Sequence, residues 1–437
     1  MAKAMPKRTQ FVPRIVAGKR KSAQPSPMEV AARTTPVNRL SDTEGRIDMV
    51  KLRAFRLGRV RAELKRRDYG ACVLFDPLSI RYATGSRGHS VFLTHIPGRY
   101  LFLPAAGPVV LFESDAYRHT GAALETIDEI RPPKPMSFFA GGDRLSDQEI
   151  KFADEIAGLV KKHCGRNRRV AVDRVGVRIP AALEARGLKL FDVIEPIERA
   201  RAIKSPEEIL CMNFAIATGE VGAARMHEAL RPGLTENELW ALLHQANIAM
   251  GGEWIEARLL CAGDRTNPWL QETSDRVIRP GELVAFDTDM IGPLGYCADF
   301  SRTFHCGPGK PTPEQRDLYK TAYEEISYNL ALLKPGLSFR EYTQKHWKQP
   351  EKYIKNRYPF IVHGIGMSDE WPGIYYRQDY PAYGYDGVIE ENMTLCVESY
   401  IGAEGGRQGV KLEHQVLVTK NGYELLSQFP FDDSLLA

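Results

Sequence analysis

Length, composition and charge exclude several classes of protein. The chain has 437 residues, of which 43% are hydrophobic and 26% are charged, as is typical of a soluble globular protein with more than one domain. The formal net charge is only +4. Nine Lys or Arg residues and a single acid, Glu29, fall within residues 1–40. The rest of the chain is therefore slightly acidic, and nucleic acid is not an expected partner.

The cysteines favour a reducing compartment. They number seven, and no two have C-x-x-C spacing: Cys72, Cys164, Cys211, Cys261, Cys297, Cys306 and Cys396. An odd number of scattered thiols suits the cytoplasm better than a disulfide framework does. No apolar stretch approaches the length of a membrane span, and the basic N-terminus lacks the apolar core of a secretory signal. No membrane partner is expected.

Residues 1–45 predict a basic extended arm. Pro13, Pro25, Pro27 and Pro36 interrupt the segment, which shows little hydrophobic periodicity. An organellar transit peptide is the alternative interpretation, because the segment contains arginines and is poor in acids.

Residues 46–195 alternate between helix and strand patterns. In chain order they predict a basic amphipathic helix, a buried strand with a turn, a hairpin, a helix and a second buried strand, at 48–67, 71–85, 99–114, 146–163 and 168–176. This alternation predicts a compact α/β domain.

Residues 196–437 begin with two predicted helices. Ser205 and Glu208 have the spacing of a capping box, with Pro206 in the first helical turn. Thr235 and Glu238 have the same spacing and predict a second capping box. Strand-rich sequence interrupted by Gly and Pro follows, so an α+β domain is predicted.

Four stretches of this second domain place hard metal ligands on or beside apolar strands. They supply five carboxylates and one imidazole: Asp287, Asp289, Asp299, His363, Glu398 and Glu413. A carboxylate in a buried strand is costly unless its charge is compensated, and divalent cations compensate several at once. The period of two predicts that Asp287 and Asp289 share one face of a strand. Oxygen-rich ligation with one imidazole suits Mn, Fe, Co or Zn, and two ions can share carboxylates.

The order of these residues resembles the pita-bread metallohydrolase superfamily, which includes methionine aminopeptidases, proline-specific peptidases and creatinases. The motifs that carry the resemblance are FDTDM, GYCADFSRTF, HGIG, ESYIG and KLEHQVLVT, together with ARAIKSPEEILCM and LRPGLTENEL at the entrance to the domain. The resemblance implies a pita-bread catalytic domain preceded by a smaller creatinase-like α/β domain. It also implies that the six residues hold two divalent metal ions.

The sequence differs from the peptidases of that superfamily at the positions of their proton-transferring histidines. Those peptidases place a second histidine after HGIG, whereas this chain has Asp369 there. They also carry a histidine upstream of the first ligand, but no histidine lies between His244 and His305. Thr288 holds the position of the usual first aspartate, with an aspartate on either side. Amide hydrolysis is therefore disfavoured, and creatinases match poorly because they lack the full ligand set.

The departures resemble the DddP-type dimethylsulfoniopropionate lyases. These share the extra aspartate, the SDEWP sequence and the basic N-terminal extension. The resemblance implies a metal-dependent carbon–sulfur lyase that cleaves dimethylsulfoniopropionate to dimethyl sulfide and acrylate. It further implies a homodimer and iron as the metal, with Mn, Co, Zn or Ni as alternatives. Tyr358 matches a substrate-contacting tyrosine of this branch.

The chemistry of that substrate agrees with the residues. β-Elimination removes a proton from the carbon next to the carboxylate, so the carboxylate needs a Lewis acid and the carbon needs a base. Asp369 follows His363 closely enough to be that base, and a partly desolvated setting is expected to raise its pKa. The sulfonium needs an aromatic wall, for which Trp371 and Tyr358 are favoured. The tyrosines of residues 375–385 suit a packed loop or a dimer contact equally well.

Two other functions stay open. One is an X-Pro aminopeptidase or prolidase-like metallohydrolase with rearranged surroundings, and the other is a non-catalytic binding module. The intact set of ligands disfavours the module. His305, His346 and His414 are not expected to be ligands. His414 follows Glu413 directly and is expected to face the other side of its strand.

Overall fold

The computed structural model describes residues 47–437, so the predicted arm of residues 1–45 lies outside the described residues. The described chain forms two compact units, Asp48–Arg201 and Ala202–Ala437. The boundary predicted between residues 195 and 196 falls inside the helix Ile194–Ala202. The domain limits 46–195 and 196–437 remain predictions.

The first unit contains one six-stranded sheet with helices. The strands are β1 (Ala71–Leu74), β2 (Tyr100–Pro104), β3 (Val110–Phe112), β4 (Glu129–Arg131), β5 (Arg169–Val172) and β6 (Lys189–Asp192). The helices are α1 (Met49–Arg66), α2 (Pro77–Thr84), α3 (Ser90–His95), α4 (Phe138–Gly141), α5 (Leu145–His163), α6 (Ile179–Glu184) and α7 (Ile194–Ala202). The strand order is β4-β3-β2-β1-β5-β6. The predicted hairpin is confirmed as the antiparallel pair β2–β3.

Local signals explain the helices of this unit. Asp48 caps α1 by accepting a hydrogen bond from Lys51 N, and the buried positions of α1 recur every four residues along one face: Leu52, Arg56, Val60 and Leu64. The turn predicted after β1 is wrong in one respect, because a helix, α2, follows the strand. Asp76 caps α2 and Pro77 stands in its first turn, which are ordinary helix-start signals.

Helices occur along the whole of the second unit. They are α8 (Pro206–Ala229), α9 (Glu236–Ala249), α10 (Pro313–Leu332), α11 (Phe339–Lys345), α12 (Glu351–Ile354), α13 (Tyr380–Tyr383) and α14 (Asp433–Leu436). The two predicted capping boxes are confirmed, at Ser205 with Glu208 and at Thr235 with Glu238. Within residues 47–437, no helix is both long enough and apolar enough to cross a membrane.

Three sheets make up the rest of the second unit. The strands are β7 (Trp254–Ile255), β8 (Leu260–Ala262), β9 (Leu283–Asp287), β10 (Met290–Ile291), β11 (Cys297–Ala298), β12 (Ser301–His305), β13 (Val362–Ile365), β14 (Asp369–Ile374), β15 (Thr394–Ile401), β16 (Val410–Thr419) and β17 (Gly422–Leu425). The sheets have the orders β12-β9-β8, β11-β10-β7 and β14-β13-β15-β16-β17. Apolar residues of α10, β15 and β16 share one core, so β15 is buried on both of its faces. The mixture of helix and sheet confirms the α+β class.

Candidate metal centre

Strand ends and the central strands of one sheet position five of the six predicted ligands. Asp287 is the last residue of β9, and Asp299 directly follows β11. His363, Glu398 and Glu413 lie in β13, β15 and β16. Glu398 and Glu413 are directly opposite each other in the antiparallel ladder. Their side chains are therefore neighbours on one face of the sheet.

The structure brings all six residues together. Ligand atoms within 4.8 Å of one another form three overlapping groups: Asp287, Asp289 and Asp299; Asp287, Glu398 and Glu413; and Asp299, His363, Cys396 and Glu413. His363 Nε2 lies 3.0 Å from Glu398 Oε1 and 3.6 Å from Glu413 Oε1. The groups share Asp287, Asp299 and Glu413, and shared carboxylates are a common feature of sites that bind two metal ions.

Asp289 reaches the cluster by a backbone path that the sequence did not predict. β9 ends at Asp287 and β10 begins at Met290, so the prediction that the two aspartates share a strand face is wrong. Asp289 has a φ of 35°, close to the left-handed region that aspartate tolerates better than most residues. This kink, rather than strand periodicity, puts its carboxylate beside that of Asp287.

Thr288 is fully buried between the two aspartates. Its hydroxyl donates to Ala298 O at 2.8 Å and accepts from Phe300 N at 3.0 Å. The hydroxyl therefore connects the end of β9 to the backbone on both sides of Asp299, and Thr288 stabilises the positions of the neighbouring aspartates.

Three buried carboxylate oxygens of the cluster have no hydrogen-bond partner among residues 47–437. They are Asp287 Oδ1, Asp299 Oδ1 and Glu413 Oε1, and these residues are at most 2% exposed. A buried carboxylate oxygen without a partner is costly unless a cation is bound to it. Hard oxygen donors with one imidazole are the ligands that divalent transition metals accept, so the residues present fit such ions.

The electrostatics of the cluster agree with a cation site. Burial and the neighbouring Glu413 raise the pKa of Asp287 to about 6, and the same two causes raise the pKa of Glu398 to about 8. Burial and nearby carboxylates raise the pKa of Asp299 well above its usual value. Burial alone would lower the pKa of His363, but the carboxylates around it raise it. The carboxylates repel one another, and cations relieve that repulsion.

Lys411 is a member of the cluster that the sequence reasoning missed. The residue is 0% exposed, and its Nζ lies 3.0 Å from Asp287 Oδ2 and 3.3 Å from Glu413 Oε2, and also donates to Glu398. Burial would lower the pKa of Lys411, but these three carboxylates raise it well above its usual value. The available signal was its place two residues before Glu413 in a buried strand, hence on the same face.

Asp369, the predicted base, lies at the rim of the cluster. Its Oδ1 is 3.6 Å from His363 Nδ1, and its side chain is 62% exposed. The expectation that Asp369 is partly desolvated is therefore wrong for this structure. Asp369 is the first residue of β14, which pairs with the strand that carries His363. The carboxylate faces solvent on one side and His363 on the other.

Tyr358 connects the cluster to a cavity. Lys411 Nζ lies 4.5 Å from the centre of the Tyr358 ring. The same tyrosine lines a cavity of about 420 Å³ together with Arg357, Tyr375 and Tyr383, among other residues. Its ring therefore contacts the cluster from the side of the cavity.

The aromatic residues after the HGIG turn divide into groups. Trp371 is partly buried and packs against Phe339, with ring centres 5.4 Å apart. Tyr376 belongs to the core, where its hydroxyl lies 3.2 Å from Glu325 Oε1. Tyr375 and Tyr383 line the cavity of Tyr358. These tyrosines therefore form no single wall.

The three histidines that were not expected to be ligands lie outside the cluster groups. His414 Nδ1 is 3.1 Å from Ser427 O, on the side of β16 away from Glu413. His346 packs against Tyr376. Burial lowers the pKa of His305.

Both parts of the chain match known families. Residues 56–203 match the Creatinase/Prolidase N-terminal domain, and residues 211–420 match metallopeptidase family M24. Among solved structures, the Xaa-Pro dipeptidase from Bacillus anthracis has a TM-score of 0.70 at 21% identity, covering 87% of this chain and 99% of that one. The predicted fold, a creatinase-like domain followed by a pita-bread domain, is confirmed.

Two relatives match nearly the whole chain. They are the dimethylsulfoniopropionate lyases DddP of Roseovarius nubinhibens and Roseobacter denitrificans, each 38% identical over 394 residues, or 89% of this chain and 88% of the relative. Identity at this level over this length shows common family membership, which the likeness to the dipeptidase does not. The chain therefore belongs to the family of the dimethylsulfoniopropionate lyase DddP, within the M24 fold.

Proposed function

We propose that the protein is a metal-dependent carbon–sulfur lyase that cleaves dimethylsulfoniopropionate to dimethyl sulfide and acrylate by β-elimination. The observation that carries the proposal is the carboxylate of Asp369, 3.6 Å from the imidazole of His363, where peptidases of this fold carry another histidine. The names of the two DddP relatives support the same substrate.

The proposed ligands are the six residues of the cluster: Asp287, Asp289, Asp299, His363, Glu398 and Glu413. Their unpartnered oxygens and mutual repulsion support two divalent ions, for which we propose iron, with Mn, Co, Zn or Ni as alternatives. When bound, such ions supply Lewis-acid polarisation of the substrate carboxylate. Lys411 balances part of the remaining negative charge.

Asp369 is proposed to remove the proton from the carbon next to the substrate carboxylate. The electron pair of that C–H bond becomes the double bond of acrylate, and the C–S bond pair leaves with sulfur as neutral dimethyl sulfide. A base in position contributes about 10²- to 10⁴-fold to such a step. The exposure of Asp369 gives the captured proton a path to water.

Tyr358 and Trp371 are the proposed contacts for the substrate. An aromatic face attracts an onium group without reacting with it. Tyr358 is the better supported of the two, because its ring lies beside the cluster and lines the cavity. Trp371 lies two residues from Asp369 in β14 and so shares its side of the strand.

We also propose a cytoplasmic homodimer. The seven cysteines all lie within residues 47–437 and form no disulfide there, and six of them are buried, which supports a reducing compartment. The dimer rests on the resemblance to DddP-type lyases, whose members are dimers.

The test is release of dimethyl sulfide into the headspace from purified, metal-loaded protein. Asp369→Asn is expected to lower kcat about 10³-fold while metal content stays unchanged. Asp386→Asn is the matched control, because Asp386 is exposed and pairs with Arg340 away from the cluster. No dimethyl sulfide from loaded wild-type protein, with cleavage of an X-Pro dipeptide instead, would overturn the lyase in favour of the metallohydrolase.

A further inference from the structure

A buried ion pair lies directly behind the proposed base. Lys204 Nζ and Glu370 Oε2 are 2.8 Å apart, and each side chain is only 2% exposed. Glu370 is the residue after Asp369, and Lys204 precedes the N-cap of α8. Neither residue is needed as a metal ligand or as a base, so the chemistry proposed above does not explain why the pair is there.

The Glu370 carboxylate organises the turn between His363 and Asp369. Its Oε1 accepts a hydrogen bond from Met367 N at 3.0 Å. A Cβ on Gly366 would lie 1.9 Å from the same oxygen, so only glycine lets the carboxylate approach this backbone. Gly366 N also donates to Ser368 O at 3.0 Å. The buried carboxylate is thereby bound to the middle residue of the turn at residues 366–368.

The same turn is tied to the strands that carry the ligands. Cys297 N donates to Gly366 O at 2.7 Å, two residues before Asp299. On the other side, Lys204 N donates to Asn392 O at 2.9 Å, which anchors the backbone of the lysine. The turn is thus bound to Cys297 on one side and, through the ion pair of Glu370, to Lys204 on the other.

The alternation of side-chain directions along β14 connects the buried Glu370 to the exposed Asp369. Glu370 is buried and Asp369 is exposed, as expected for neighbours on a strand. A buried carboxylate that loses a charged partner is destabilised, so removal of Lys204 is expected to shift the Glu370 carboxylate and the turn that is bound to it. Asp369, largely in water, has little burial of its own to resist that movement.

We propose that Lys204 and Glu370 are positioning residues that hold the Asp369 carboxylate beside His363. This inference rests on the proposed function, because it assigns Asp369 as the base. A displacement of about 1 Å at a reacting group costs about 10²-fold in rate, and substrate binding through other residues is unaffected.

The kinetic experiment uses Lys204→Met and Glu370→Gln in the metal-loaded full chain. Each is expected to lower kcat about 10²-fold, with KM and metal content unchanged, while Lys204→Arg restores most of the wild-type kcat. The matched control is Arg99→Met, which breaks another buried ion pair, Arg99 with Glu113, in the first unit. An equal loss of kcat in the control, or a loss of metal in the Lys204 variant, would overturn the inference.

Hydrogen–deuterium exchange gives a readout that needs no substrate. Peptides covering residues 363–370 are expected to exchange faster in both variants than in wild type or Arg99→Met. Lys204→Met removes the ion pair that holds the carboxylate acceptor of the Met367 amide, and Glu370→Gln replaces that acceptor with a weaker amide oxygen. Unchanged exchange in these peptides refutes the positioning role. If wild-type protein releases no dimethyl sulfide, the proposed function fails, but the exchange result still decides whether the pair holds the turn.

Discussion

Glu325 leads to a prediction about stability and pH. This residue of α10 is fully buried, and its carboxylate accepts from Ser399 Oγ at 2.8 Å, Gln349 Nε2 at 3.2 Å and Tyr376 OH at 3.2 Å. No cation is among these partners. Burial raises the pKa of Glu325 from its usual 4.5 to about 7. The folded protein therefore keeps a proton that the unfolded chain has already lost.

The sign and size of the effect follow from the two pKa values. Between pH 4.5 and 7 the folded state binds more protons at Glu325 than the unfolded state, so stability falls as pH rises. The gap between the two values corresponds to about 3 kcal/mol. Glu325→Gln keeps the shape of the side chain and carries no charge, so the cost disappears. The variant is expected to gain about 3 kcal/mol over wild type at pH 8 relative to pH 4.5.

Thermal unfolding of metal-loaded protein at the two pH values measures this gain. For a unit of this size, about 3 kcal/mol corresponds to a Tm increase of about 6 to 12 °C. Glu324→Gln is the control, because Glu324 is the preceding residue of α10 and is exposed. A difference between Glu325→Gln and wild type that is the same at pH 4.5 and pH 8 would refute a buried, uncompensated carboxylate.

Three further predictions concern the cluster. Asp289→Ala is expected to lower metal content and activity together, as measured by elemental analysis and headspace assay; full metal occupancy in the variant would contradict its role as a ligand. Lys411→Met is expected to lower the Tm of metal-free protein more than that of metal-loaded protein, because without either cation the carboxylates repel one another; an equal fall argues against charge compensation. Tyr358→Leu is expected to raise KM about 10-fold at constant metal content, whereas a change in kcat alone would show that its ring does not bind the sulfonium.

Local signals in the sequence predicted much of the fold and the members of the site. Capping boxes at Ser205 and Thr235 depend on residues three apart, so the sequence displays them directly. The proposed ligands His363, Glu398 and Glu413 were recognisable because each interrupts a buried apolar strand, where an isolated polar side chain is costly.

What the sequence did not reveal depends on contacts between distant segments. Nothing in the sequence next to Lys411 indicates that it contacts Asp287. The fold brings Asp287, from another sheet, to 3.0 Å from Lys411 Nζ. The left-handed backbone of Asp289 breaks the strand period that predicted its direction. The tyrosines after HGIG could not be assigned, because Tyr376 enters the core to meet Glu325 while Tyr375 lines a cavity.

The choice between hydrolysis and elimination depends on the groups that can transfer protons. Hydrolysis of an amide has to deliver a proton to the leaving nitrogen, whereas elimination of dimethyl sulfide needs only a base, since the sulfide leaves neutral. In residues 202–437, the one histidine in the cluster groups is His363, and His414 and His346 are occupied elsewhere. The Nε2 of His363 lies among carboxylates, and we propose this histidine as a metal ligand rather than a proton-transfer group. In this proposal Asp369 transfers the proton, and a single exposed carboxylate meets the needs of a lyase better than those of a peptidase.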